Sequence, residues 1–263
     1  YERLMSGGNI TLFSPHDVPG LYDAFFADQD EFKRLYEQAE RKTSIRKKVI
    51  SATELFSAFM QERKDTGRIY LQNVDHANEH SSFKTEVAPI KQSNLCCEID
   101  LPTKPLNDIN DPNGEIALCT LSAVNWGSFK NPEDMEKACT LAVRGLDALL
   151  SYQNYPIIAA QMATENRRPL GIGIINLAFF LAKNDVSYSD PNALNLVDTW
   201  AQHWSYYLIK ASADLAVEFG ACPKNHETKY SDGVLPVDTY KKDVDELVPH
   251  TDEVDWTGLR SQL

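Results

Sequence analysis

Short apolar runs alternate with helical ones along this chain, and that order restricts the fold more than any other feature. The run "IALCTLSAVNWG" (Ile116–Gly127) is apolar, too long for a single strand, and reads as a buried strand entering a bend. "MEKACTLAVRGLDALLSYQ" follows as a helix, with Leu141, Leu149 and Leu150 expected to turn inward. "RPLGIGIINLAFFLAKN" opens on Pro169 and a Gly-x-Gly and continues as a helical apolar run. The next helix is punctuated at both ends: Asp190 as N-cap, Pro191 at the first helical position, Gly220 after the last turn. Strands separated by helices pair in parallel, so the expected class is α/β.

The first hundred residues are more helical. "QDEFKRLYEQAERK" (Gln29–Lys42) puts Phe32, Leu35 and Tyr36 on one side, and "SATELFSAFMQERK" (Ser51–Lys64) gathers Leu55, Phe56, Phe59 and Met60 on one face. Ile69–Leu71 offers a short β-rich run. The stretch Leu101–Gly114 carries Pro102, Pro105, Pro112 and an Asn-Gly, and cannot be regular. No repeat or low-complexity tract interrupts the pattern. The chain begins inside patterned sequence, "YERLMSGG", and stops at "VDWTGLRSQL", which reads as a helix in progress. A segment of something longer is expected.

The charge balance narrows the partners. A net charge of −12 argues against nonspecific nucleic-acid binding, which depends on neutralising phosphates with Lys and Arg. It leaves room for a nucleotide pocket, which needs only local positive charge or helix N-termini. No run approaches the roughly 18 apolar residues of a membrane span. The five cysteines make an odd, scattered count unlike a disulfide framework, so a reducing cytoplasm is the expected compartment.

Two of those cysteines are adjacent, in "QSNLCCEID" (Gln92–Asp100). The surroundings disfavour a helix. In an extended conformation side chains alternate, so Asn94, Cys96 and Glu98 share one face and Leu95, Cys97 and Ile99 the other. An amide, a thiol and a carboxylate then stand opposite a wholly apolar face, since an unoxidised Cys packs as a small hydrophobe. On this pattern Cys96 is chemical and Cys97 structural, although an ordinary loop can produce the same alternation. A disulfide between neighbours would close a strained ring. Cys119, in an apolar strand, reads by itself as packing. Cys139 lies on the apolar-leaning side of a helix and reads as inert, and Cys222 has no evident partner.

Other chemistry is weakly signalled. His76 and His80 are spaced i, i+4, but in a segment that reads as loop and without an HExxH motif. Adjacent cysteines are poor zinc spacing and no CxxC exists, so no metal site is expected. Gly171-x-Gly173 lacks the third glycine of a dinucleotide fingerprint.

Several stretches taken in order, "LMSGGNITLFSPHDVPGLYDAF", "TGRIYLQNVDHAN", "QSNLCCEIDLPTKPLND", "GEIALCTLSAVN", "RRPLGIGIINLAFFLAK" and "LPVDTYKKDVDEL", resemble the large, catalytic subunit of class I ribonucleotide reductase, and the resemblance runs the length of the chain. It implies the central part of a ten-stranded α/β barrel, with a finger loop carrying a cysteine into its centre and residues 1–263 forming a single segment incomplete at both ends. The family's S-N-L-C-x-E falls on Ser93–Glu98. That implies Cys96 as the thiyl radical that removes the substrate's 3′ hydrogen, Glu98 as acceptor of the 3′-hydroxyl proton, and Asn94 as hydrogen-bond partner of the substrate hydroxyls. The family's G-E-I-A-L-C-T implies Cys119 as one of two redox-active thiols, its partner lying outside the chain.

The resemblance further implies a ribonucleoside diphosphate substrate, a metal-containing small subunit that supplies the radical, and a homodimer of the large subunit. Thioredoxin or glutaredoxin would be the reductant, and nucleoside triphosphate effectors would bind outside this segment. No cofactor, nucleic acid or membrane partner is implied for the segment itself, and the segment alone is expected to be inactive. "ACPKNHETKY" departs from the family's usual aromatic run, with Lys224 and Asn225 in place of bulky residues, so local packing there is in question. Two other readings stand beside this one: a non-catalytic thiol or metal-binding module using Cys96, Cys97, His76 and His80, and a split-gene remnant acting as a scaffold.

Overall fold

The computed structural model describes residues 1–263, which divide into two compact units, Tyr1–Pro102 and Thr103–Leu263. In the first unit the elements run α1 (Glu2–Met5), β1 (Asn9–Phe13), α2 (Leu21–Ala27), α3 (Gln29–Arg41), β2 (Lys47–Ser51), α4 (Ala52–Thr66) and α5 (Val74–His80). Strands β1 and β2 pair antiparallel, with Asn9 opposite Ser51 and Phe13 opposite Lys47. Asp28 caps α3 by accepting from the Glu31 N–H at 2.9 Å, satisfying one of the helix's unpaired amides. The face anticipated on α3 is the one used: Phe32, Leu35 and Tyr36 pack with Phe13 against buried Val18, Leu21, Ala39 and Ile45.

Two expectations for this unit fail. Ile69–Leu71 is not a strand; no neighbouring strand is there to pair its amides and carbonyls, and Tyr70 and Leu71 are exposed. The segment carrying His76 and His80 is helix α5, not a loop. The apolar face of α4 forms as read, but Leu55, Phe56 and Met60 on it are exposed.

In the second unit the order is β3 (Thr120–Asn125), α6 (Glu136–Tyr152), α7 (Ile158–Arg167), β4 (Leu170–Ile175), α8 (Leu177–Lys183), α9 (Pro191–Phe219), α10 (Pro236–Thr239) and α11 (Trp256–Arg260). Strands β3 and β4 are parallel neighbours joined through α6 and α7, the pairing that the strand–helix alternation implies. Leu121 stands opposite Gly171 and Ala123 opposite Gly173. The four strands form two separate two-stranded sheets, and no barrel closes within these residues.

Helix α9 has the bounds its punctuation specifies. Asp190 accepts from the Asn192 N–H at 2.8 Å, and Gly220 follows the last turn. It supplies Trp200 to a core built with Val124, Trp126, Met135, Cys139, Phe180 and Leu181. The Phe180 and Trp200 rings are 4.5 Å apart, and Trp126 lies 5.8 Å from Trp200. Further along, α9 packs Ala211 and Leu215 against Val143 of α6.

The inward face of α6 differs from expectation. Cys139, Val143, Leu146 and Leu150 are buried, whereas Leu141 and Leu149 are exposed. The buried set steps by four, three and four residues, the spacing of one helical face, and the two exposed leucines fall off it. The apolar run at 116–127 is shorter as a strand than it reads: β3 begins at Thr120 and ends in a 3-10 turn, Trp126–Ser128. The Gly-x-Gly belongs to β4, and the helical run starts only at Leu177. The Pro-rich stretch is irregular as expected, closed by a single bridge between Lys104 and Glu115.

Candidate functional site

The residues around Cys96 and Cys97 are held at both ends. Upstream, Ile90 is fully buried and gripped by Asn78 of α5. The Asn78 Nδ2 donates to Ile90 O at 2.9 Å and its Oδ1 accepts from Ile90 N at 2.8 Å. Asn78 also donates to Val74 O at 2.8 Å, so the clamp is fixed to its own helix. Downstream, Gln72 Nε2 donates to Asp100 Oδ1 at 2.5 Å. A buried amide with its donors and acceptor all paired rigidifies the loop it bonds. Asn78 and Gln72 lie in the stretch "TGRIYLQNVDHAN", whose clustered amides were the available signal; their role was not anticipated.

Between the anchors the backbone is a turn, not an extended strand. Cys97 N donates to Asn94 O at 3.1 Å, and Cys97 has a φ of 60°. That left-handed conformation is uncommon outside glycine. The expected two-face alternation is therefore broken: Leu95 is exposed instead of lining an apolar reverse side. The two thiols still differ in exposure. Cys96 is exposed, while Cys97 is half-buried and accepts from Ser93 Oγ at 3.2 Å. Asn94 and Glu98 do meet, the Asn94 amide donating to Glu98 Oε1 at 2.5 Å. Asn94 Oδ1 accepts from Ile99 N at 3.2 Å, which pins the amide's orientation across the turn. Amide, carboxylate and exposed thiol thus occupy one five-residue turn, with the second thiol turned back on the loop.

Cys119 belongs to the second unit, immediately before β3, half-buried beside the backbone of β4. None of the five cysteines is in a disulfide. Cys139 is fully buried, and burial pushes its thiol up to about 11, so the reading of an inert packing residue holds. Burial also raises the Cys222 thiol. His76 and His80 share one side of α5 with ring centroids 5.9 Å apart. No group of three His, Cys, Asp or Glu side chains is arranged to hold a metal ion.

A buried charge cluster in the second unit escaped sequence reading. Arg167, at the end of α7, donates to Glu115 Oε2 at 2.5 Å and to Glu227 Oε2 at 2.7 Å. Arg167 and Glu115 are each only 5% exposed, so their charges have no water to fall back on. Lys224 donates to Glu115 and stands 3.5 Å from Glu227. Burial pushes the Glu115 carboxyl up, but the Lys224 and Arg167 hydrogen bonds and charges outweigh it and hold the group below its ordinary value. The departure at Lys224 is thus accommodated by two carboxylates.

The whole chain, residues 1–263, matches the family model described as "Ribonucleotide reductase, barrel domain". The chain belongs to the ribonucleotide reductase family. Over its full length it is 57% identical to the ribonucleoside-diphosphate reductase subunit alpha of Haemophilus influenzae and covers 35% of that protein. It is 60% identical to ribonucleoside-diphosphate reductase 1 subunit alpha of Salmonella typhimurium, again covering 35%. The ribonucleoside-diphosphate reductase subunit alpha of enterobacteria phage T4 is 47% identical and 34% covered. The chain therefore spans about a third of the length of these reductase subunits. No helix of this chain is long and apolar enough to cross a membrane.

Proposed function

We propose that this chain carries the radical-bearing part of a ribonucleoside-diphosphate reductase large subunit, and that it acts within a longer subunit. The observation that carries the reading is the turn Ser93–Glu98, where an exposed thiol, a pinned amide and a carboxylate share a few residues within the matched family. A cysteine S–H and an activated sugar C–H are close in bond strength, so a Cys96 thiyl can take the 3′ hydrogen atom and later return it. Glu98 accepts the 3′-hydroxyl proton; general-base work needs geometry first, and Asn94 supplies it by holding the carboxylate and meeting the substrate hydroxyls. Removing that proton makes the 3′ radical more electron-rich, and the 2′-hydroxyl leaves as water on taking a proton from the reducing thiol pair. Cys119 and a second thiol outside the chain provide the two reducing equivalents and end as a disulfide, while C2′ gains hydrogen.

The same reading assigns the remaining parts. The turn is the finger of a ten-stranded barrel, and β3 and β4 are two of its parallel strands. The radical comes from a metal-containing small subunit. Thioredoxin or glutaredoxin restores the thiols, the large subunit is a homodimer, and nucleoside triphosphates act at sites beyond this chain. The product serves DNA precursor synthesis in the cytoplasm. The test uses the complete large subunit with its small subunit, a ribonucleoside diphosphate and a dithiol. Cys96→Ser and Cys119→Ser each abolish dithiol-dependent deoxyribonucleotide formation, and full activity in either variant overturns the assignment of that residue.

A further inference from the structure

Glycine inside a strand weakens it, so each one calls for a local reason. β4 carries two on one face, Gly171 and Gly173, and they differ. Neither has a positive φ, so backbone conformation requires glycine at neither position. A Cβ at Gly173 would meet nothing within 4 Å. A Cβ at Gly171 would lie 2.7 Å from Cys119 Sγ and 2.5 Å from Leu121 Cδ2, closer than non-bonded atoms approach. The Cys119 sulfur therefore occupies the space that any other residue at 171 would fill. The parallel register that sets Leu121 opposite Gly171 brings this about, with Cys119 two residues earlier in the chain.

We propose that Gly171 is a positioning residue for the Cys119 thiol: its missing side chain is the seat in which the sulfur rests. This rests on the redox role given to Cys119 above, but it is a separate claim. Both atoms that a methyl group at 171 would strike are ends of side chains, and Leu121 is exposed. The strand can therefore accept alanine by letting them rotate away, which keeps the fold and moves the thiol.

The experiment compares Gly171→Ala and Gly173→Ala in the complete, pre-reduced large subunit with its small subunit. The readouts are single-turnover deoxyribonucleotide formation without external reductant and the alkylation rate of Cys119 by iodoacetamide, followed by peptide mass spectrometry. Gly171→Ala is expected to slow product formation about 10- to 100-fold, the scale of a misplaced reacting group, with substrate affinity retained. Its Cys119 alkylation rate is expected to change as well. Gly173→Ala is expected to stay within about twofold of the parent in both readouts. Equal behaviour of the two variants overturns the proposal.

Leu121→Ala in the Gly171→Ala background separates the two contacts. Recovery of turnover there would mean that Gly171 acts through Leu121, which also overturns it. Cys119→Ser distinguishes the underlying reading. An active Cys119→Ser variant removes the redox role and the positioning role with it, whereas an inactive one beside an unimpaired Gly171→Ala removes only the positioning role. If Gly171→Ala fails to fold, Cys119→Ala is added: regained folding in the double variant supports the sulfur–glycine contact, and equal failure refutes it.

Discussion

The Asn94 side chain spans its own turn, donating to Glu98 Oε1 at 2.5 Å and accepting from the Ile99 N–H at 3.2 Å. The carboxylate is thereby oriented by the turn itself, and the amide cannot flip without losing both bonds. Glu98→Gln is nearly isosteric and keeps an acceptor for Asn94, but it cannot take up a proton. In the complete subunit, turnover should fall by about 10² or more, the usual scale for losing a general base, with substrate affinity little changed. Steady-state kinetics beside a direct binding titration measure both, and an unchanged turnover removes Glu98 from the mechanism.

The turn makes unequal demands on its two cysteines. Cys96 is exposed, and Cys97 is turned toward Ser93 in a left-handed conformation. Cys96→Ser should abolish reduction, because an O–H bond is too strong for a reversible hydrogen carrier. Cys97→Ala should keep most of the activity. Cys97→Gly should keep it too and relieve backbone strain of roughly 1–2 kcal/mol, offset in part by the lost Ser93 contact. Comparable losses of activity at both positions would show that the thiols are not functionally divided.

How far the sequence discloses the molecule depends on the range of the forces involved. The ends of α9 are legible because Asp190, Pro191 and Gly220 act on their nearest neighbours. The buried face of α3 is legible from spacing. The α6 face is misread when leucines are followed instead of the period, since Cys139 and Val143 are less conspicuous than Leu141 and Leu149. The composition of the Ser93–Glu98 candidate site is visible in one short motif. Its shape is not, because a left-handed Cys97 carries no glycine or proline signal. Least legible are features that join distant parts of the chain. Gly171 acquires its meaning from the register with β3, and Arg167 meets carboxylates 52 and 60 residues away.

Thiol reactivity should follow burial. Iodoacetamide at pH 8 should label Cys96 first in this chain, where it alone of the five cysteines is exposed. Cys139, fully buried with its thiol pushed up to about 11, should label only on unfolding. Time-resolved peptide mass spectrometry gives the order directly. Early labelling of Cys139 would mean that the Trp126–Phe180–Trp200 core opens readily.

The Glu115–Arg167–Glu227–Lys224 cluster should dominate the acid stability of the second unit. Arg167→Met removes the more buried of the two cations shared by Glu115 and Glu227 and leaves Lys224 alone to hold both carboxylates, and removing one partner of a buried ion pair costs about 3–5 kcal/mol. Lys224→Met should cost less, because Lys224 is more exposed than Arg167 and Arg167 still holds both carboxylates. The pH dependence has a definite sign. Glu115 is held below its ordinary value of 4.5 in the folded chain, so its contribution is fully present above that value. It is lost as pH falls from 4.5 through the depressed folded value, because the unfolded chain takes up the proton first. Urea midpoints measured from pH 7 down to 3 should therefore drop below pH 4.5 in the parent. In Glu115→Gln, which cannot ionise, the drop should be shallower. An identical acid limb in both would place the acid-sensitive group elsewhere.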